Sequence, residues 1–256
     1  MTQAVYCIRN LLLPVIASGL ILLSGCSTSP EKNENETPAQ YSVDSIVRDD
    51  VTYAIDIYDP WEGFNRGMYR FNAGFDHYIF LPVVNAYTYV MPNVVEDSIS
   101  NFFSNLFEIN NLANSILQLK PRTALETTER FLINSTIGLA GLFDVASKWG
   151  IYEHDEDFGQ TLGHYGVGEG PYIVLPIAGP SNARDTTGLI TDSLIFTEVD
   201  ILNLDDHNKR KAAFYLLNAI DRRHRTGFRY YDSGSPFEYE LIRLMYTEKR
   251  KLDIAR

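Results

Sequence analysis

Apolar residues return at helical intervals along most of this chain. Phe64, Met68, Phe71, Phe75 and Ile79 are spaced by four, three, four and four positions, which puts them on one broad face of a helix. Asp59 reads as its N-cap and Pro60 as a first-turn residue. Pro82 and Pro92 punctuate the next stretch. Residues 94–119 read as helical through Ile99, Phe102, Phe103, Leu106, Phe107, Leu112, Ile116 and Leu119. Asn105, Asn110, Asn111 and Asn114 are expected to weaken or bend that helix, because asparagine competes for backbone hydrogen bonds. After Pro121, Thr123 and Glu126 have capping-box spacing. The helix they open runs through Phe131, Leu132 and Ile133 to about Ile137, where Gly138 and Gly141 loosen the chain. Residues 142–149 predict a short apolar turn of helix.

Further on, Ser181 caps a predicted helix through Leu194. Asp205 or Asp206 opens a long one to about Thr226, with Leu216, Leu217 and Ile220 facing inward. Arg222, Arg223 and Arg225 lie in its last turns and complement the helix dipole. Ser235, Pro236 and Glu238 form a second capping box. The terminal helix it opens carries Leu241, Leu244 and Met245 and ends in Lys249, Arg250 and Lys251. No internal repeat is evident, and no strand pattern stands outside 172–177. The pattern predicts an all-α fold of many short amphipathic helices with one irregular hairpin.

That hairpin lies in residues 157–184, which hold six glycines and three prolines. Gly166, Gly168 and Gly170 free the backbone for positive φ, and Pro171, Pro176 and Pro180 stop a helix from running through. Between them, Tyr172, Ile173, Val174, Leu175, Pro176, Ile177 and Ala178 carry no charge. A water-facing loop is not normally built this way, and a bilayer-spanning helix needs about 20 residues. The segment therefore reads as an apolar hairpin. Two settings stay open: a tight turn in an ordinary core, or a hairpin dipping into lipid.

The first 25 residues stand apart. A single Arg9 precedes an apolar run over 11–23, the shape of a secretory signal. It closes on Leu23-Ser24-Gly25-Cys26, the pattern at which bacterial lipoproteins are cleaved and acylated on cysteine. Several acyl chains, at roughly 0.8 kcal/mol per buried CH₂, make a durable anchor. Ser27, rather than aspartate, favours onward transport to the outer membrane. Cys7 leaves with the signal and Cys26 is acylated, so neither of the 2 cysteines remains for a disulfide. Residues 26–58, rich in Ser, Pro, Glu, Asn, Thr and Asp, read as a tether, with 51–58 packing on the body. The helical domain is expected over 59–252.

Charge narrows the function. A net charge of −11 leaves no basic surplus for nucleic acid, nor for a cationic membrane-surface protein. Membrane attachment must come from acyl chains or apolar surface, and 16 Tyr and 14 Phe suit a lipid–water boundary as well as a core. His154, Asp155, Glu156 and Asp157 predict a solvated acidic loop without metal-ligand spacing. There is no Gly-x-Ser-x-Gly elbow and no phosphate loop. His164 is the one histidine within a motif, and reads as a structural hydrogen-bonder. No catalytic residue, metal or cofactor is expected.

Two segments resemble the MlaA/VacJ lipoprotein family. One is Asp59-Pro60-Trp61-Glu62-Gly63-Phe64-Asn65-Arg66-Gly67-Met68-Tyr69-Arg70-Phe71-Asn72. The other runs from Phe158 through Gln160, Gly163-His164-Tyr165-Gly166 and Gly170-Pro171-Tyr172 to Leu175-Pro176 and Arg184-Asp185. Residues 130–139 and the lipoprotein signal agree, and the likeness is weaker over 205–251. The resemblance implies a ring-like bundle of helices lying in the inner leaflet of the outer membrane, without spanning it, pierced by an amphipathic channel. It implies retrograde phospholipid transport that maintains lipid asymmetry. The implied partners are phospholipids, a trimeric outer-membrane porin and a soluble periplasmic carrier of an ABC transport system. On it, Gly166 and Gly168 are hinge candidates, and Gly170, Pro171 and Pro176 belong to the channel hairpin. Tyr172, Val174 and Leu175 are candidate lipid contacts. Arg184 and Asp185 are candidates for head-group contact, with a capping or intrahelical role equally open. The alternative is a structural or porin-adaptor lipoprotein without a lipid conduit.

Overall fold

The computed structural model describes residues 39–42, 57–200, 202–203 and 208–256. The expected signal, Cys26, most of the tether, Asp205, Asp206 and His207 lie outside them. In chain order the elements are α1 (Glu62–Phe75), a π-helical turn (Asp76–Phe80), α2 (Leu81–Val90), α3 (Asn93–Leu117), α4 (Pro121–Thr136), α5 (Val145–Lys148), α6 (Phe158–His164), β1 (Tyr172–Leu175), β2 (Gly179–Asn182), α7 (Ala183–Val199), α8 (Asn208–Arg225) and α9 (Glu238–Ala255). Helices dominate, and the two strands pair antiparallel with Tyr172 opposite Asn182 and Leu175 opposite Gly179. The all-α expectation with one hairpin holds.

Burial runs opposite to that of an ordinary soluble protein. Among the described residues, nine hydrophobic side chains are buried against 28 polar or charged ones. Charged and amide side chains are the ones normally left at the surface. On α1 the buried residues are Asn65, Tyr69 and Asn72, while Phe64 and Phe71 are 61% and 52% exposed. The helical period matches the sequence pattern, but most of the apolar face turns outward: Phe64, Phe71 and Ile79 are exposed, while Met68 packs against the buried cluster. The expected inward face of α8 is met in part: Leu217 and Ile220 are half-buried, but Leu216 is 60% exposed, and the buried residues are Asn218 and Asp221.

The asparagines of α3 are explained by this inversion. The helix that carries them runs 25 residues unbroken. Asn105, Asn111 and Asn114 are buried, and Asn114 donates to Asp192 at 2.8 Å and accepts from Thr161 at 2.9 Å. Beside them, Arg130 donates to Glu108 at 2.6 Å and to the Ile151 carbonyl at 2.6 Å, tying α4 to α3.

Several predicted helix starts are displaced. α1 opens at Glu62 with no side-chain cap. Asp59 instead accepts from Asn65 at 2.7 Å, from Arg243 at 2.9 Å and from the Tyr239 hydroxyl. Pro82 does not end the helical run; it lies in the first turn of α2, directly after the π-helical turn. α4 opens at Pro121, so Thr123 is already helical, and Glu126 binds Arg122 and His154. Asn182, not Ser181, caps α7, accepting from the Asp185 amide at 2.7 Å, and α7 runs on to Val199. At α9, Glu238 turns inward and accepts from the Tyr69 hydroxyl at 2.6 Å. At Asp59 and Glu238 a tertiary partner prevails over the local cap.

Two more readings are corrected. The sequence pattern does not announce α6; Asp157 caps it through the Gln160 amide at 2.8 Å. The segment before it is not simply solvated. Glu156 is buried and accepts from Gln118 and Lys120, each at 2.8 Å.

Candidate lipid-contacting site

The hairpin is held by two side chains of α1. Asn65 Nδ2 donates to the Tyr172 carbonyl at 3.0 Å, and its Oδ1 accepts from the Val174 amide at 2.9 Å. Asn72 repeats the bracket, donating to the Leu175 carbonyl and accepting from the Ile177 amide, each at 2.8 Å. Seven helical residues rise about 10 Å, which matches about three residues of strand. The two amides thus act as a neighbouring strand for β1. On its outer side, the Tyr172 amide donates to the Tyr58 carbonyl at 3.0 Å.

The candidate contact residues separate clearly. Tyr172 and Val174 are both 1% exposed and pack with Tyr69 and Tyr239, so their contacts are with protein. Leu175 is half-buried. Pro176 and Ile177 are exposed at the turn, and Ile177 has a φ of +65°, an uncommon conformation for a β-branched residue. The Tyr172 hydroxyl is buried without a hydrogen-bond partner. Burial, then the nearby Asp59 carboxylate, pushes it up, so it stays protonated.

Of the glycines, Gly166 and Gly170 have φ of +84° and +67°. A Cβ on Gly170 would also lie 3.0 Å from that of Ala183. Gly168 has neither a positive φ nor a neighbour within 4 Å. His164 is exposed at the end of α6, its ring edge-on to Tyr165.

Arg184 and Asp185 are buried beneath the hairpin exit. Asp185 accepts from Arg184 and from Arg250 Nε at 2.9 Å, and from the Tyr246 hydroxyl at 2.8 Å. Arg250 also reaches Asp157 with bonds of 2.7 and 2.8 Å. Burial alone would raise both carboxyls. The Arg250 guanidinium outweighs it and holds both below the usual carboxylate range. This network joins α6, α7 and α9, and sequence reasoning missed Arg250, which it placed in a basic helix end.

The surface completes the site. Tyr78, Tyr89, Val90 and Leu194 are 78%, 92%, 70% and 59% exposed. Large apolar side chains left exposed in such number suit a covering lipid or protein surface. Among the described residues no helix is long and apolar enough to cross a membrane. Glu153 is open to solvent, yet surrounding protein is the first cause pushing its carboxyl up. Arg130 and Arg225 lie within its electrostatic reach and act the other way.

The profile of the MlaA lipoprotein family matches residues 57–253. The chain belongs to this family. The intermembrane phospholipid transport system lipoprotein MlaA of Shigella flexneri is 35% identical over 189 residues, 72% of this chain and 67% of that one. MlaA of Escherichia coli K12 is 35% identical over 187 residues, 72% of this chain and 66% of that one. An uncharacterized protein of Rickettsia prowazekii is 43% identical over 141 residues, 55% of either chain, so this chain spans about half the length of that relative. A solved structure reported under "Structural basis for maintenance of bacterial outer membrane lipid asymmetry" superposes with a TM-score of 0.62 at 30% identity. That match covers 77% of this chain and 100% of the other. The MlaA profile takes in both Asn65 and Asn72, the hairpin and Arg250.

Proposed function

We propose that this protein is an outer-membrane lipoprotein that removes phospholipids mislocalised in the outer leaflet and passes them to a soluble periplasmic carrier. It works beside a trimeric porin, anchored through Cys26, and catalyses no reaction. The observation that carries this reading is the inverted burial. An apolar belt outside suits hydrocarbon, and a polar interior lowers the cost of drawing a charged head group through it. The names of the Shigella and Escherichia relatives support the same reading. Charged groups within the helices, such as Glu96 and Glu108 on α3, favour a body lying in one leaflet.

The test is a deletion strain complemented with the wild type or with Gly166→Pro/Gly168→Pro. Surface phospholipid is labelled by an enzyme confined to the outer face, with both proteins checked for equal outer-membrane levels. Deletion is expected to raise surface phospholipid, and the double variant to fail to restore it. Unchanged surface phospholipid on deletion would sink the transport reading and favour a porin adaptor without a conduit.

A further inference from the structure

A second polar site lies where α2, α3 and α8 meet, away from the hairpin. His224 Nε2 stands 3.5 Å from Glu96 Oε2, and its ring meets Tyr87 edge-on at 5.9 Å. Ser100 donates to Asp221 Oδ1 at 2.5 Å. Asp221 Oδ2 is 2.8 Å from Arg225 Nη2, an ion pair without hydrogen-bond alignment. Two carboxylates thus sit opposite one guanidinium and one imidazole.

Three polar atoms here are buried without a partner: the Tyr87 hydroxyl, Glu96 Oε1 and Asn218 Nδ2. Their residues are 9%, 7% and 8% exposed. Leaving one such group unsatisfied is unfavourable, and three around one junction offer a polar ligand both acceptors and a donor. Asn218 precedes Asp221 by three residues, so both lie on one face of α8. The junction is not sealed, because the side chains of His224 and Arg225 are 30% and 40% exposed.

We infer that this junction is a head-group subsite for a phospholipid carrying a primary amine, with the ammonium on Glu96 and Tyr87 and the phosphate on Asn218 and Arg225. The inference rests on the transport reading and names its substrate class. An ammonium has donors and no acceptors, which suits a free carboxylate oxygen and a hydroxyl oxygen beside an aromatic ring. A phosphate has acceptors only, which suits an amide N–H and a guanidinium. A glycerol head group brings no cation to Glu96 Oε1. Burial, then Asp221 and Glu96, pushes the Tyr87 hydroxyl up, so it stays neutral as this arrangement needs.

The test uses the full-length protein purified in detergent and exposed to vesicles of equal phosphatidylethanolamine and phosphatidylglycerol. Bound lipid is counted by mass spectrometry. The wild type is expected to enrich the amine lipid, and Glu96→Gln to lower the ratio about tenfold, the loss of one charge-assisted contact. Arg225→Ala is expected to lower both lipids and leave the ratio unchanged. Tyr87→Phe, which keeps the shape, is expected to lower the ratio even where Glu96→Gln fails to fold. Soluble O-phosphoethanolamine should displace the amine lipid from the wild type, and glycerol 3-phosphate should not; equal displacement by both would overturn the inference. A wild type that binds both lipids equally, or Glu96→Gln and Tyr87→Phe proteins that keep its ratio, would also overturn it and leave ordered water as the occupant. A wild type that binds neither lipid would instead remove the transport reading itself.

Discussion

Gly188 of α7 and Gly159 of α6 meet backbone to backbone. A methyl group on Gly188 would lie 2.3 Å from the Gly159 amide nitrogen and 2.8 Å from its Cα. Neither atom belongs to a side chain that could swing aside. Gly188→Ala is therefore expected to pry the two helices apart and destabilise the protein by about 2–4 kcal/mol. Gly168→Ala, which meets nothing within 4 Å, is expected to be neutral. Thermal unfolding in detergent distinguishes them. Equal melting temperatures would remove the helix crossing as a structural constraint.

The asparagine bracket is the second point of leverage. Asn65 is fully buried, and its amide serves Tyr172, Val174 and Asp59 together. Asn65→Ala leaves a buried amide and a buried carbonyl of β1 unpaired, at about 2–4 kcal/mol. Asn72→Ala frees only the turn end of the strand and is expected to cost about 1–3 kcal/mol. Protease sensitivity between β1 and β2 should rise for both variants, and more for Asn65→Ala. Intact hairpins in both would argue that the sheet needs no help from α1.

Arg250 makes stability depend on pH. Asp157 and Asp185 have folded-state values held below the ordinary one. Their contribution is present above pH ~4 and is lost as the pH falls through the lowered values. The Asp157 side chain is 36% exposed, so solvent screening leaves Asp185, at 6%, as the larger contributor. Arg250→Met leaves Asp157 without a cation and Asp185 with Arg184 as its one cation, and is expected to cost about 2–4 kcal/mol at pH 7. Its acid dependence should flatten, because the main cause that lowers both carboxyls is gone. Urea midpoints at pH 3 to 7 for both proteins check this. A variant that loses stability on acidification as the wild type does would contradict it.

Inverted burial predicts inverted substitution effects. Phe71→Lys, on a side chain 52% exposed, should leave folding in detergent nearly unchanged. It should weaken partition into vesicles by about 2–4 kcal/mol, set by depth in the bilayer. Asn114→Leu adds apolar surface at a position 0% exposed. It should destabilise the protein by about 2–4 kcal/mol, since Asp192 and Thr161 both lose a partner. Flotation with vesicles and denaturant unfolding separate the two effects. An Asn114→Leu protein as stable as the wild type would overturn this account of the interior.

Much of this was legible in the residues. The spacing of Phe64, Met68, Phe71 and Phe75 announces α1, and the prolines and uncharged run at 171–180 announce the hairpin. Periodicity and backbone chemistry are local properties, so the chain alone determined its helices other than α6, its one hairpin and, through two motifs, its family.

Direction was not local. The same apolar stripe serves a core or a bilayer, and only the fold decided that Phe64 faces out and Asn65 faces in. Caps also depended on distant partners. Asp59 left its helix for Arg243 of α9, and Glu238 left its box for Tyr69 of α1, because a buried carboxylate needs a donor more than a solvated helix end needs a cap. Gly159 with Gly188, and Arg250 with Asp157 and Asp185, join residues far apart in sequence. Their meeting is a fact of packing, which spacing along one chain cannot encode.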